Sequence, residues 1–429
     1  MKKSKILIIV SVVSIFLLLL SCTKKQDSTT PAEPNTPEVS PTNTATVINT
    51  ITTTTITFTT TATYTTGIST NTFTPTNINT PTNISTPTYT CICPGEVQFP
   101  DSNLEIKIRQ ALSIPSPTPI YGCDLYNLTS LNASYSNIND LTGLECCINL
   151  TFLNLNNNNI SNINALSSLT KLENLLLLSN NISDINALSN LTNLAFLNLD
   201  SNNITNISAL QNLTKLQFLS IAINNISDIS ALSYLTNLIY LNINNNNISS
   251  ISALSNLNNL NTIICSRNQI SDITPLSSLT NLMSIDFSYN TITSISALSG
   301  LTNLTSVILE HNNISDISAL SNLTKLITLN LRDNHISDIS ALSGLTNLEY
   351  LSLNNNIIST IDALSNLIKL TYLDLSFNII EDITALRTNC DSGGLGTGDY
   401  VYLISNPLNT TATSVDIPYL QSKGVNVSY

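Results

Sequence analysis

The chain has 429 residues, 42% of them apolar, which is enough for one large domain or two to three ordinary ones. Only 10% are charged, against about 25% in an ordinary soluble domain; there are two His and no Trp. This scarcity argues against an active site rich in acid–base groups, and a net charge of −12 against a partner held through nucleic-acid phosphates.

Residues 1–21 read as an export signal. Lys2, Lys3 and Lys5 precede an uncharged apolar run from Ile6 to Leu20, too short to span a bilayer comfortably. Leu19-Leu20-Ser21-Cys22 follows and resembles the lipobox of bacterial lipoproteins. The resemblance implies cleavage before Cys22, lipid attachment at its sulfur, and a protein anchored to the cell envelope at the outer membrane or cell surface. Loss of the three lysines takes the net charge from −12 to −15. Residues 22–90 read as a disordered tether. From Thr23 to Thr90 there are 28 Thr and seven Pro in 68 residues, and no charge falls between Glu38 and Glu96. Such a stretch has too little bulky apolar surface to offset the entropy of ordering. Coil statistics give it a mean span of ~45 Å.

The repeat sets the fold. Ile138, Ile160, Ile182, Ile204, Ile226, Ile248, Ile270, Ile292, Ile314, Ile336, Ile358 and Ile380 recur every 22 residues without insertion. Asn stands two residues before each, except Ser136 in the first repeat. Apolar residues lie five and seven before, as in Leu153/Leu155, Leu197/Leu199 and Ile285/Phe287. That alternation is a short strand of period two. Leu-x-Leu-x-x-Asn at this period is the leucine-rich repeat pattern, in which neighbouring coils pool apolar edges that no single repeat buries alone. The Asn column sits where the chain leaves the strand, so its amide satisfies backbone groups that the turn leaves unpaired. Asp184, Asp228, Asp272, Asp316, Asp338 and Asp382, two residues after the Ile, read as turn caps rather than metal ligands.

Residues 170–191, Thr-Lys-Leu-Glu-Asn-Leu-Leu-Leu-Leu-Ser-Asn-Asn-Ile-Ser-Asp-Ile-Asn-Ala-Leu-Ser-Asn-Leu, resemble the internalin class of bacterial leucine-rich repeat proteins. The resemblance implies an α/β right-handed solenoid with a parallel concave sheet, short 3₁₀ turns on the convex side, and recognition of a protein ligand. It extends to Phe99-Pro-Asp-Ser-Asn-Leu-Glu-Ile-Lys-Ile-Arg-Gln-Ala-Leu112, which looks like the helical cap that precedes such arrays. There Asp101 or Ser102 is the N-cap, and Leu104, Ile106, Ile108, Ala111 and Leu112 cover the first coil. The chain departs from the class in carrying no sortase signal and no immunoglobulin-like flank, and in its N-terminal anchor. A surface binder is therefore implied rather than an invasion factor. The resulting division is 91–127 for the N-terminal cap, 128–390 for the array, and 391–429 for a last irregular repeat with its C-terminal cap. In that cap, 417–427 reads as a helix, a Gly stop and a closing strand.

Cys265 occupies an inward strand column and reads as a free buried thiol. Cys91, Cys93, Cys123, Cys146 and Cys147 gather around the N-terminal cap, where five thiols permit at most two disulfides. Cys123 with Cys146 or Cys147 is the pairing expected first.

With the inward residues assigned, the outward ones fall eight, six, four and three before each Ile. Phe152, Leu176, Leu178, Phe196, Phe218 and Tyr240 are expected to face solvent on neighbouring strands and to form a ligand-binding patch, joined further along by Tyr350 and Tyr372. Arg267, Asp286, Glu310, His311, Arg332 and Asp333 bring a rare concentration of charge to the same face. Pairing between adjacent rungs, such as Glu310 with Arg332, is the alternative role for them. No catalytic residue, cofactor or metal site is expected, and the protein reads as a monomeric non-enzyme with a protein ligand. A structural or glycan-binding envelope role is the alternative, since the rest of the face is Asn, Ser and Thr.

Overall fold

The computed structural model describes residues 93–429. The export signal, Cys22 and the Thr-rich tether lie outside the described residues. From Ser130 onward each repeat contributes one three-residue strand, beginning with β1 (Ser130–Asn132) and ending with β14 (Asn426–Ser428). The fourteen strands pair in chain order in one parallel sheet. Pairing is in register: Leu153 lies beside Leu175 and Leu175 beside Leu197, so equivalent side chains stack rung on rung. Register survives the irregular end, where Leu373 pairs with Val401 and Val401 with Val427.

Short 3₁₀ turns, such as Asn186–Leu188 and Ser208–Leu210, form a second stack and return the chain to the next strand. Between the two stacks runs a continuous apolar core. In one repeat Leu194, Leu197, Leu199, Ile204, Ile207, Leu210 and Leu213 are all buried. Each such side chain contributes ~1.5–3 kcal/mol by leaving water. This is the expected leucine-rich solenoid.

The Asn column closes the turn as its chemistry requires. The Asn180 amide donates to the carbonyls of Leu155 (3.0 Å) and Leu177 (3.1 Å), and its oxygen accepts from Ile160 N–H at 3.0 Å. One side chain thus stitches two coils together with backbone groups that have no strand partner. The Asp column caps the turns: Asp228 accepts from Ser230 N–H at 2.8 Å and Asp382 from Thr384 N–H at 2.7 Å. Hydrogen bonds of this kind hold the Asp272, Asp316, Asp338 and Asp382 carboxyls below the ordinary range.

At the N-terminal end helix α1 (Ser102–Leu112) is capped by Asp101, which accepts from Asn103 and Leu104 N–H. The other Asp101 oxygen accepts from Asn139 N–H at 2.7 Å, so a single carboxylate joins cap and first coil. Leu104 and Ile108 are buried and Leu112 packs against the core, whereas Ile106 and Ala111 are exposed, contrary to expectation. They lie off the 104/108 stripe, which alone faces the coil. The expected cysteine pairing is also corrected: Cys146 bonds Cys93, with Cα atoms 5.8 Å apart. Cys123 is disulfide-bonded as well, while Cys147 is a free buried thiol that burial pushes up to about 12. Cys265 is free and buried, as read from its column.

In the last regular coil a two-turn α-helix (Thr384–Asp391) replaces the 3₁₀ turn and takes up much of the six-residue insertion. The C-terminal cap follows as a helix (Ile417–Ser422), then Gly424 at φ +87, then β14. Gly suits that position because a side chain there would be strained, and a Cβ would also meet Thr397 at 2.8 Å. No helix of the described residues is long and apolar enough to cross a membrane.

Candidate concave recognition face

The concave columns are filled by residues that the core leaves free to vary. Parallel strands about 4.8 Å apart bring side chains of one column to stacking distance. Phe196 and Phe218 stack with ring centroids 4.1 Å apart and planes 3° from parallel, and Tyr240 continues the stack at 4.3 Å. A second stack, Tyr350 on Tyr372 at 4.5 Å with Tyr402 tilted against it at 5.5 Å, stands nearer the C-terminal end. Asn174 separates Phe152 from the first stack.

Stacking changes how these residues meet water. Phe218 (4% exposed) and Leu176 (5%) are buried, which corrects the expectation that they face solvent. Each is covered by side chains of its own column and the next, because the rungs are closer than a side chain is wide. Phe152, Phe196, Tyr240 and Leu178 remain half-buried, as do Tyr350 and Tyr372. Ring faces are occupied by one another, so the ladder presents ring edges, which carry the positive part of the aromatic quadrupole. Burial pushes Tyr372 up to about 12, with help from Tyr350 and Asp374.

Between the stacks lie the charged rungs. Arg267 sits over the Tyr289 ring, its guanidinium carbon 4.1 Å from the centroid. Tyr289 stacks on His311 at 4.1 Å, and His311 Nε2 lies 2.8 Å from Asp333. Arg332 Nε donates to the same Asp333 oxygen at 2.9 Å, and Asn355 donates to the other. Glu310 accepts from Asn330 at 2.9 Å instead of pairing with Arg332. The expected Glu310–Arg332 bridge is therefore replaced by one within the turn, because Arg332 and Asp333 are neighbours and share its rim. Asp286 accepts from its own turn, at Ser288.

Four members of this surface were not singled out from the sequence: Tyr289, Asn355, Tyr402 and Asp200. The first two share the column three before the Ile with His311 and Asp333, and the column rule points to them. Tyr402 follows from the shifted register at Val401. Asp200 stands in the column of Glu310 and Arg332. It accepts from Ser220 Oγ at 2.6 and 2.7 Å and from Ala222 N–H at 2.7 Å. Burial pushes its carboxyl up to about 6 against these lowering hydrogen bonds.

The column three before the Ile also carries left-handed backbone in every regular repeat, including φ 54 at Ile223, 53 at Arg267 and 53 at His311. A β-branched residue such as Ile223 is strained there, and its side chain is nonetheless 49% exposed. Among the described residues no group of three or more His, Cys, Asp or Glu converges to hold a metal ion.

Residues 192–278 and 280–388 match, in overlapping segments, a family model of leucine-rich repeats in two copies. An internalin of Listeria monocytogenes is 35% identical, over 77% of this chain and 96% of its own, with a TM-score of 0.72. A leucine-rich repeat protein of Leptospira interrogans is 20% identical over 71% of this chain and 84% of its own, with a TM-score of 0.63. The ectodomain of a membrane receptor kinase from Arabidopsis thaliana, solved with CASPARIAN STRIP INTEGRITY FACTOR 2, is 21% identical over 66% of this chain and 39% of its own, with a TM-score of 0.54. These last two show likeness of fold alone. No curated protein matches the chain.

Proposed function

The chain belongs to the internalin-like leucine-rich repeat proteins, and from that premise we propose that it is an exported, envelope-anchored protein that binds a protein ligand through its concave face. Cys22 is its lipid attachment point and residues 22–90 are the tether that carries the array away from the membrane. The ligand is a host or neighbouring-cell surface protein. The observation that carries this reading is the arrangement of one face: two aromatic ladders flanking a band of paired charges, on a scaffold that is otherwise charge-poor. Rigid rings that lose little freedom on binding are the residues that dominate protein interfaces.

A glycan ligand fits this geometry less well. Sugars pack their C–H faces on open ring faces, and here Phe196, Phe218 and Tyr240 cover one another. Capture of a protein from host-cell extract by the full-length chain, lost when Phe196→Ala is combined with Phe218→Ala, supports the proposal. Equal capture by both forms rejects the ladder as the site. Binding to purified cell-wall polysaccharide but to no protein favours the envelope role. Anchoring is tested apart from binding: Cys22→Ala abolishes metabolic labelling by fatty acid, and persistent labelling refutes it.

A further inference from the structure

Asp200 is the one charged residue on the aromatic half of the face. Among the concave columns of repeats two to six no Lys or Arg occurs, and the first cation, Arg267, stands three rungs on, ~14 Å at the spacing of parallel strands. No ion pair among the described residues includes Asp200. All the hydrogen bonds its carboxylate accepts come from neutral donors on the next rung, Ser220 and Ala222. The fold does not need the charge. Two rungs earlier Asn156 occupies the same column and accepts from Leu178 N–H at 2.8 Å, the bond that Asp200 makes to Ala222. A neutral amide therefore does the structural work, and the negative charge at residue 200 is surplus to it.

The surroundings say what that charge is for. Asp200 lies beside Leu178 of the preceding rung, and its field acts on the Tyr240 phenol, which burial also pushes up. Ile223, strained and exposed, stands next to the Ala222 that donates to it. The result is an uncompensated carboxylate rimmed by ring edges and aliphatic groups. Because the ring faces are stacked, they offer no cation–π platform, and recognition of a cation here falls to Asp200 alone. We propose that Asp200 receives a Lys or Arg side chain of the protein ligand, its aliphatic stem lying along Leu178, Ile223 and the edges of the Phe196–Phe218–Tyr240 ladder. This rests on the concave-face reading above and names the chemistry of the ligand's anchor residue.

The test uses the full-length protein and four pools of nine-residue peptides with random flanks and a fixed central Lys, Arg, norleucine or citrulline. The wild type retains the Lys and Arg pools about tenfold over their neutral counterparts, the scale of one charge-assisted hydrogen bond. Asp200→Asn, which keeps the acceptor for Ala222, removes the difference while leaving the circular dichroism spectrum unchanged. The Lys pool, but not the norleucine pool, also lowers the titration midpoint of the Asp200 carboxyl carbon seen by NMR. Equal retention of all four pools, retention of none, or a cation preference that survives in Asp200→Asn overturns the inference. If retention is indifferent to charge yet lost with Phe196→Ala and Phe218→Ala, only the role of Asp200 falls and the concave-face reading stands. Retention unaffected by the two Phe changes removes that reading instead.

Discussion

Asp200→Asn makes a quantitative statement about stability that does not depend on any ligand. Burial takes the Asp200 carboxyl from its ordinary 3.8 to about 6 in the folded protein. The folded state therefore binds the proton more tightly than the unfolded chain. Stability is greatest below pH 4, falls as pH rises from about 4 to about 6, and stays at the lower level above that. The size of the fall is the gap between 3.8 and about 6 at 1.36 kcal/mol per pH unit, ~3 kcal/mol. The Asn variant carries no charge to desolvate and retains the bond to Ala222 N–H by the precedent of Asn156, so it lacks this pH dependence. At pH 7.5 it is more stable than the wild type by up to that amount. For about 340 ordered residues an unfolding entropy of ~0.7 kcal/mol/K converts this to ~4 °C in Tm. Thermal melts of both proteins followed by circular dichroism at pH 4, 5, 6 and 7.5 give the comparison. Parallel Tm curves for the two proteins, or a variant less stable at pH 7.5, would refute the reasoning, since either means that the charge is not buried uncompensated.

Other substitutions probe the scaffold. Asn290→Ala removes donations to the carbonyls of Cys265, Phe287 and Ser288 and strands the Ile270 N–H, at a cost of about 3 kcal/mol in urea denaturation; a loss below 1 kcal/mol would show that water replaces the amide. Ile223→Asn relieves a β-branched residue at φ 54 and raises stability by about 1 kcal/mol in the same assay, with no change or a loss counting against strain at that position. Cys93→Ser with Cys146→Ser opens a cross-link spanning 53 residues and costs about 4 kcal/mol. If its Tm under oxidising conditions equals that of the parent, the cap is held without the bond.

The fold was legible because a solenoid is nearly one-dimensional. A side chain such as Leu197 meets equivalents 22 residues on either side, so a column in the sequence is a column in space and both strand register and Asn ladder follow. Legibility failed where contacts leave the period. Cys146 pairs with Cys93 from outside the array, where no spacing rule reaches. Ile106 and Ala111 belong to a helix whose orientation is set by Leu104 and Ile108 against one coil only. Phe218 and Leu176 were assigned correctly to the outward columns, yet outward does not mean wet when rungs are this close. Arg332 was given the partner one rung away, although Asp333 beside it in the chain lies nearer.

This regularity also separates what each position is for. Inward residues and the Asn column answer to the stack, and any repeat can be checked against its neighbours for whether a residue does more than the stack asks. Asn156 and Asp200 make that comparison within one molecule: same column, same bond to the next rung, one neutral and one charged. Ile223 and Asn245 make it again: same left-handed backbone, one side chain strained and the other at ease. Where a residue costs stability that its column-mate shows to be avoidable, the stack cannot be its reason. Asp200 and Ile223 are two such residues on adjacent rungs of one half of one face, and there the ligand's contribution should be sought.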